Sequence, residues 1–208
     1  MSTRYVRIAN RTIEPSTGNR IQVSDDADVA KIIALIMQAD RLSRPFTRRF
    51  ARNLRGKNDL STLRNVWSFV KDNVKYERDK PGSEVVKSPG ALWESRVGDC
   101  KSFSVMIGSL LSNLGYAYKY RVAFYNPDAP EQGHIYPVAI LKDGTEVIVD
   151  AVHTRFNAEA KYWKAYDYEP ASGERKKASR LAGLGAPLKS SWYIGGIIAA
   201  VAAIIWWK

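Results

Sequence analysis

The chain has 208 residues, 45% of them apolar, enough for one ordinary domain with a buried core and some chain to spare. One cysteine and two histidines exclude an internal disulfide and are too few for a Cys/His structural zinc site; no metal or cofactor is expected. The formal net charge of +11 excludes little by itself, but it asks for an anionic partner: nucleic acid, an acidic lipid surface or an acidic protein.

Residues 1–24 are polar and basic with short apolar islands and read as an arm or short strand. No apolar run follows the N-terminus, so no secretory signal is expected. Asp25 and Asp26 look like a helix start before Val29, Ile32, Ile33, Ile36 and Met37. That helix should end near Leu42, because Pro45 interrupts the pattern. From Arg41 to Lys57 there are seven basic residues and no acidic one. Arg44, Arg48, Arg52 and Arg55 recur at three or four, a guanidinium stripe suited to phosphate or anionic lipid headgroups; a solvated helix face is the alternative.

A second helix should start with Asp59 or Ser61 as cap and bury Leu63, Val66, Trp67, Val70 and Val74. It breaks at Tyr76, and Pro81-Gly82 marks a loop. Residues 77–90 are turn-rich, and Ala91, Leu92 and Trp93 form a short apolar turn leading to Gly98. Next comes the stretch that carries the lone cysteine. Asp99 can cap a helix whose apolar face is Phe103, Met106, Ile107, Leu110, Leu111 and Leu114, and Gly115 can end it in the left-handed conformation. Cys100 therefore sits at a helix N-terminus, where unpaired N–H groups and the dipole favour a thiolate. A small buried hydrophobe is the alternative.

Residues 116–125 read as a strand. After the loop 126–130, strands over 134–141 and 145–152 are joined by Lys142-Asp143-Gly144. Three residues with glycine last suit a type I turn closed by a G1 bulge. That turn sets a register: Leu141 faces Thr145, Tyr136 faces Asp150 and His134 faces Val152. His134 and Asp150 then share a sheet face as diagonal neighbours, alpha carbons roughly 7–8 Å apart. A two-residue loop would put them on opposite faces. His153, the other histidine, should lie on the opposite face from His134 in a core or surface role.

Residues 153–170 are aromatic and read as a partial helix covering the sheet; 171–191 has the composition of a linker. Residues 192–207 carry no charge and have aromatic residues at both ends, as at membrane interfaces. Their length reaches about 25 Å, so they span if flanking serines enter the interface, the bilayer thins or Lys208 snorkels. A buried or partner-docking helix is the alternative. The basic linker favours the domain on the cytoplasmic side. The chain thus divides into a basic N-terminal arm with helices (1–58), a catalytic domain (59–170), a basic linker (171–191) and a transmembrane helix (192–207).

Cys100, His134 and Asp150 make a candidate nucleophile, base and orienting carboxylate, with the Cys100 backbone N–H at the helix start as oxyanion donor. Gly98-Asp99-Cys100-Lys101-Ser102, Gly133-His134-Ile135-Tyr136 and Val149-Asp150-Ala151 resemble, in order and spacing, three blocks of the transglutaminase-like superfamily. The resemblance covers residues 60–157. It implies a papain-like α+β fold, a cysteine helix packed on an antiparallel sheet that carries His and Asp, and acyl chemistry through a thioester. Trp67 and Trp93 are candidates for the tryptophan that transglutaminases place near the oxyanion, with a core role as the alternative. The expectation is a membrane-anchored cysteine hydrolase acting on peptide or amide bonds of a protein or peptide substrate. The alternatives are a protein-crosslinking acyltransferase, or a structural protein of a virion or membrane that uses the fold as a scaffold.

Overall fold

The computed structural model describes residues 3–14, 20–23, 29–80, 84–129, 132–170 and 175–177. At its centre is α5 (Cys100–Leu114), twelve of whose fifteen residues are buried. The expected apolar face is there, but the helix is enclosed all round. Ser102, Ser104, Gly108 and Ser109 supply the small polar flank that lets neighbours close in. Each buried Leu, Ile or Phe contributes roughly 1.5–3 kcal/mol of transfer free energy. The ends are as read from sequence: the Asp99 carboxylate accepts the N–H groups of Lys101 and Ser102, and Gly115 closes the helix at φ +87°.

One flank of α5 packs on a five-stranded antiparallel sheet of order β7-β6-β5-β8-β9. Its strands are β5 (Ala117–Phe124), β6 (Gly133–Ile140), β7 (Glu146–Ile148), β8 (Lys164–Tyr168) and β9 (Arg175–Lys177). Both faces of β5 and β6 are covered. Tyr120, Val122, Ile135 and Ala139 join the main core, and Ala123, Tyr136, Val138 and Ile148 form a second cluster with Tyr162 and Ala165. The β6–β7 turn is the expected one: Gly144 N donates to Leu141 O, Leu141 N donates to Thr145 O, and Gly144 has φ +83°. The pairs Ile140–Glu146, Ala139–Val147 and Val138–Ile148 keep the expected register.

The other flank of α5 packs on α2 (Val29–Ala51). Here the expected stop before Pro45 does not occur. Pro45 is exposed, so its ring and the carbonyl it leaves unpaired at exposed Arg41 meet solvent, while Ser43, Thr47 and Phe50 stay buried. A 3-10 turn over Arg52–Leu54 follows. The N-terminal arm is also more ordered than expected. Helix α1 (Thr3–Thr12) buries Ala9 and is followed by β1 (Arg20–Gln22). Ala9 and Ile13, with Ile33, Ile36 and Phe50 of α2, belong to the same core as α5, so packing crosses the 58/59 boundary.

Helix α3 (Asp59–Asn73) buries Leu63, Val66, Phe69 and Val70. Its cap is Asn58 rather than Asp59 or Ser61, and Ser61 closes a reciprocal capping box. Short strands β2 (Lys75–Tyr76) and β3 (Val85–Lys87), helix α4 (Pro89–Ser95) and β4 (Val97–Gly98) lead to α5. β1 pairs with β3, and β2 pairs in parallel with β4. The expected partial helix over 153–170 is instead an irregular segment followed by β8, which aligns antiparallel to β5. Strand β9 falls inside the expected linker. The remainder of that linker and the tail 192–207 lie outside the described residues. Among the described residues, no helix is long and apolar enough to cross a membrane.

Candidate active site

Cys100 is the first residue of α5 and is partly exposed. The approach to it is tight. A Cβ on Gly98 would sit 2.4 Å from Leu92 Cδ1, so any larger residue there would have to displace the buried Leu92 side chain. Asp99 occupies the N–H groups of Lys101 and Ser102 with its carboxylate, and that of Phe103 with its carbonyl. The N–H of Cys100 is the first-turn donor left without a partner among the described residues, as the oxyanion reading requires.

His134 is the second residue of β6. Its Nε2 lies 2.8 Å from Asp150 Oδ2, and both side chains are largely buried. The Cys100 thiol lies close enough to the same imidazole to contribute to its pKa. Burial alone would lower the imidazole pKa. Hydrogen bonds to Asp150 and Cys100, with their charges, outweigh it and push the pKa up to about 10. The structure therefore brings Cys100, His134 and Asp150 together, Cys100 on the expected helix and His134 on the expected strand, while Asp150 lies just past the end of β7 rather than within a strand running to Val152.

The ladder between β6 and β7 continues through the bond from Val149 N to Pro137 O and then stops. Beyond it the chain bends, with Val152 N donating to Asp150 Oδ1 at 2.9 Å. Helix α3 holds this bend. Trp67 Nε1 donates to the Asp150 carbonyl at 2.8 Å, and Lys71 Nζ donates to the Val152 carbonyl at 2.9 Å. The Trp67 donor is thus committed to the chain behind the carboxylate. Trp93 is committed elsewhere: its Nε1 bonds Asn10 Oδ1, and its ring lies between Phe69 and the Arg96 guanidinium. Neither indole serves as an oxyanion donor here. His153 is outside the site and accepts the Arg155 N–H.

Several residues at the site escaped the sequence reading. Tyr76 and Tyr125 stand exposed beside it. The Tyr76 phenol is pushed up to about 12 by burial and by nearby Cys100 and Asp99. Tyr125 is raised by burial and by the carboxylates of Asp150 and Glu159. Tyr136, 5.3 Å from the His134 ring, donates to Glu159 at 2.7 Å. Glu159 also takes fully buried Arg121 at 2.8 Å, and Arg121 continues to Asp167 and Glu146. The available signal was Lys119 and Arg121 alternating inside an otherwise apolar strand, which requires carboxylates on the strands beside it. An open cleft of about 290 Å³ adjoins β4, its walls of mixed charge: Arg20, Arg78, Lys80 and Lys87 with Glu77 and Asp79.

The arginine stripe is divided by its partners. Arg44 bonds buried Asp40 at 3.2 Å and Tyr118 at 3.1 Å, and Arg55 bonds the Leu114 carbonyl. Arg48 and Arg52 are exposed.

The family model of the transglutaminase-like superfamily matches residues 48–171. The chain belongs to the transglutaminase-like superfamily. The match takes in the end of α2 and all of β8, more than the 60–157 carried by the sequence motifs. This transglutaminase-like protein is 24% identical over 151 residues to UPF0252 protein PF0978 of Pyrococcus furiosus. That alignment covers 70% of this chain and 44% of the relative, so the chain spans less than half of that protein. Among solved structures it is similar to a candidate protease from Parabacteroides distasonis, with TM-score 0.53 and 13% identity over 71% of this chain and 30% of that one. It is also similar to calcium-bound Legionella pneumophila LapG, with TM-score 0.48 and 18% identity over 78% of this chain and 94% of that one. At these identities the likeness is one of fold.

Proposed function

We propose that this transglutaminase-like protein is a cysteine hydrolase that cleaves peptide or amide bonds through Cys100, His134 and Asp150, held at a membrane by residues 192–207. The observation that carries the reading is the His134 imidazole bonded to Asp150 at 2.8 Å with the Cys100 thiol near the same ring. Cys100 Sγ attacks the carbonyl carbon in the state where the proton it shares with His134 rests on the imidazole, and the carbonyl oxygen takes the negative charge beside the Cys100 N–H. The tetrahedral species collapses: the C–N bond breaks, His134 gives its proton to the leaving amine, and a thioester remains. Water, losing a proton to His134, attacks the thioester. The C–S bond breaks, the acid departs and the proton taken from water stays on His134 beside the freed sulfur. Asp150 keeps the ring in place and stabilises the imidazolium in both halves.

The uncharged, aromatic-ended segment 192–207 supports membrane attachment, and the basic linker before it favours the domain on the cytoplasmic side. Exposed Arg48 and Arg52 are then the stripe residues available to anionic headgroups.

The test is capture of a Cys100 thioester or of a trapped adduct from a peptide library, detected by mass, followed by resolution with water or with an added primary amine. Release of acid supports hydrolysis, and amine incorporation points to the acyltransferase. A Cys100 inert to all substrates leaves a scaffold role.

A further inference from the structure

Lys101 follows the nucleophile directly and is buried, 6% exposed, in the first turn of α5. Both facts work against a lysine there. The helix dipole repels a cation at the N-terminus, and taking an ammonium out of water costs several kcal/mol. Three carboxylates answer the cost. Nζ bonds the Asp99 carboxylate, lies 2.5 Å from Glu84 Oε2 and 3.4 Å from Asp79 Oδ2.

Asp99, Asp79 and Glu84 come from two parts of the chain. Asp99 is the α5 cap. Asp79 accepts the Val85 N–H at 2.7 Å, and Glu84 precedes β3. One oxygen of each lies within 4.8 Å of the others, close enough for a single small cation to bridge. The ammonium fills that place. Ser102 Oγ makes a further tie, accepting the Lys87 N–H at 3.1 Å.

We propose that the Lys101 ammonium is a resident cation that ties Asp79 and Glu84 to the Asp99 cap, fixing the turn that presents Cys100 without need of a metal ion. Lys101 is a positioning residue, and its catalytic consequence rests on the hydrolase reading above. Removing the ammonium leaves three facing carboxylates, and a divalent cation becomes the replacement. The construction predicts a metal dependence that the native chain lacks.

The test uses the full chain, native and Lys101→Ala, in EDTA and in about 1 mM CaCl2, the range of weak protein calcium sites. Thermal unfolding and the rate and pH profile of Cys100 alkylation by iodoacetamide are followed. The native chain should respond to neither EDTA nor calcium. Lys101→Ala in EDTA should melt lower and alkylate with a rate changed about tenfold, and calcium should restore both. No calcium response in Lys101→Ala, or an equal response in the native chain, overturns the proposal. Where Lys101→Ala does not fold in either buffer, Lys101→Met combined with Asp79→Asn and Glu84→Gln decides: recovered folding supports charge balance, and failure refutes it. The calcium response of the melting temperature involves no substrate. It therefore stands if Cys100 proves inert, and its loss leaves the hydrolase reading intact.

Discussion

The indole N–H of Trp67 donates to the carbonyl oxygen of Asp150 across 2.8 Å. This bond joins the middle of α3 to the point where the β6–β7 ladder gives out, and it holds the residue whose carboxylate faces His134. Trp67→Phe retains an aromatic ring beside Phe156 but deletes the donor. The variant should lose about 1–2 kcal/mol in urea unfolding. Its acylation rate should fall about ten- to hundredfold, because Asp150 loses its support. A stability loss with an unchanged single-turnover rate would assign the indole to packing alone.

Cys100→Ala should abolish adduct formation. Asp150→Asn keeps the shape beside His134 but removes the charge, and the rate should fall about 10³–10⁴-fold. Because the three groups act as a unit, adding Asp150→Asn to His134→Ala should cost little more than His134→Ala alone. Kinetics on any substrate captured at Cys100 check this. Multiplying losses would mean that the groups work independently.

His134 also makes stability depend on pH. Its pKa in the folded chain is about 10 against an ordinary 6.5, burial being outweighed by Asp150 and Cys100. The folded state holds the proton more tightly than the unfolded state. The stabilisation is therefore complete below about pH 6.5 and is lost as pH rises through about 10. Asp150→Asn removes the foremost stabiliser of the imidazolium, so this component of the pH dependence should shrink. Denaturation from pH 6 to pH 10.5, with NMR titration of the ring, measures both.

Gly108 sits mid-helix, where alanine would ordinarily gain about 1 kcal/mol. Here its Cβ would stand 2.0 Å from the hydroxyl oxygen of Tyr120, a fully buried side chain. Gly108→Ala should therefore destabilise by about 1–3 kcal/mol. Adding Tyr120→Phe should recover part of the loss. Thermal melts of the single and double variants decide, and a more stable Gly108→Ala would refute the packing claim.

The stripe should divide by function. Arg44→Ala strips buried Asp40 of a partner and should cost about 1–2 kcal/mol, discounted for the partial exposure of Arg44. The pair Arg48→Glu and Arg52→Glu should leave stability nearly unchanged yet weaken binding to anionic liposomes, most at low salt. Co-sedimentation across ionic strength checks this, with a tail-deleted chain to isolate the contribution of the stripe.

What was legible in the sequence was local. Asp99, Cys100 and Gly115 announce both ends of α5, and Gly144 sets a register that carries His134 to Asp150. What was not legible depended on distant partners. Pro45 breaks no helix because its unpaired carbonyl faces water, a fact that depends on which side of α2 meets α5. Strand β8 does not read as a strand in the sequence because it is short and its buried Asp167 breaks the apolar pattern, and only the fold supplies Arg121 as that carboxylate's partner. The Trp67 indole could be placed near the reacting groups by resemblance, but only the fold shows that its N–H donates to the Asp150 main-chain carbonyl.

Strand β9 ends at Lys177 on the sheet edge away from β7, remote from the hairpin that carries the base. The fourteen residues 178–191 can reach at most about 50 Å when fully drawn out. With 192–207 seated in a bilayer, as proposed, this leash would set a working radius. Targets would have to lie in the membrane or in the shallow layer just above it, and lengthening the leash would deepen that layer without touching the chemistry.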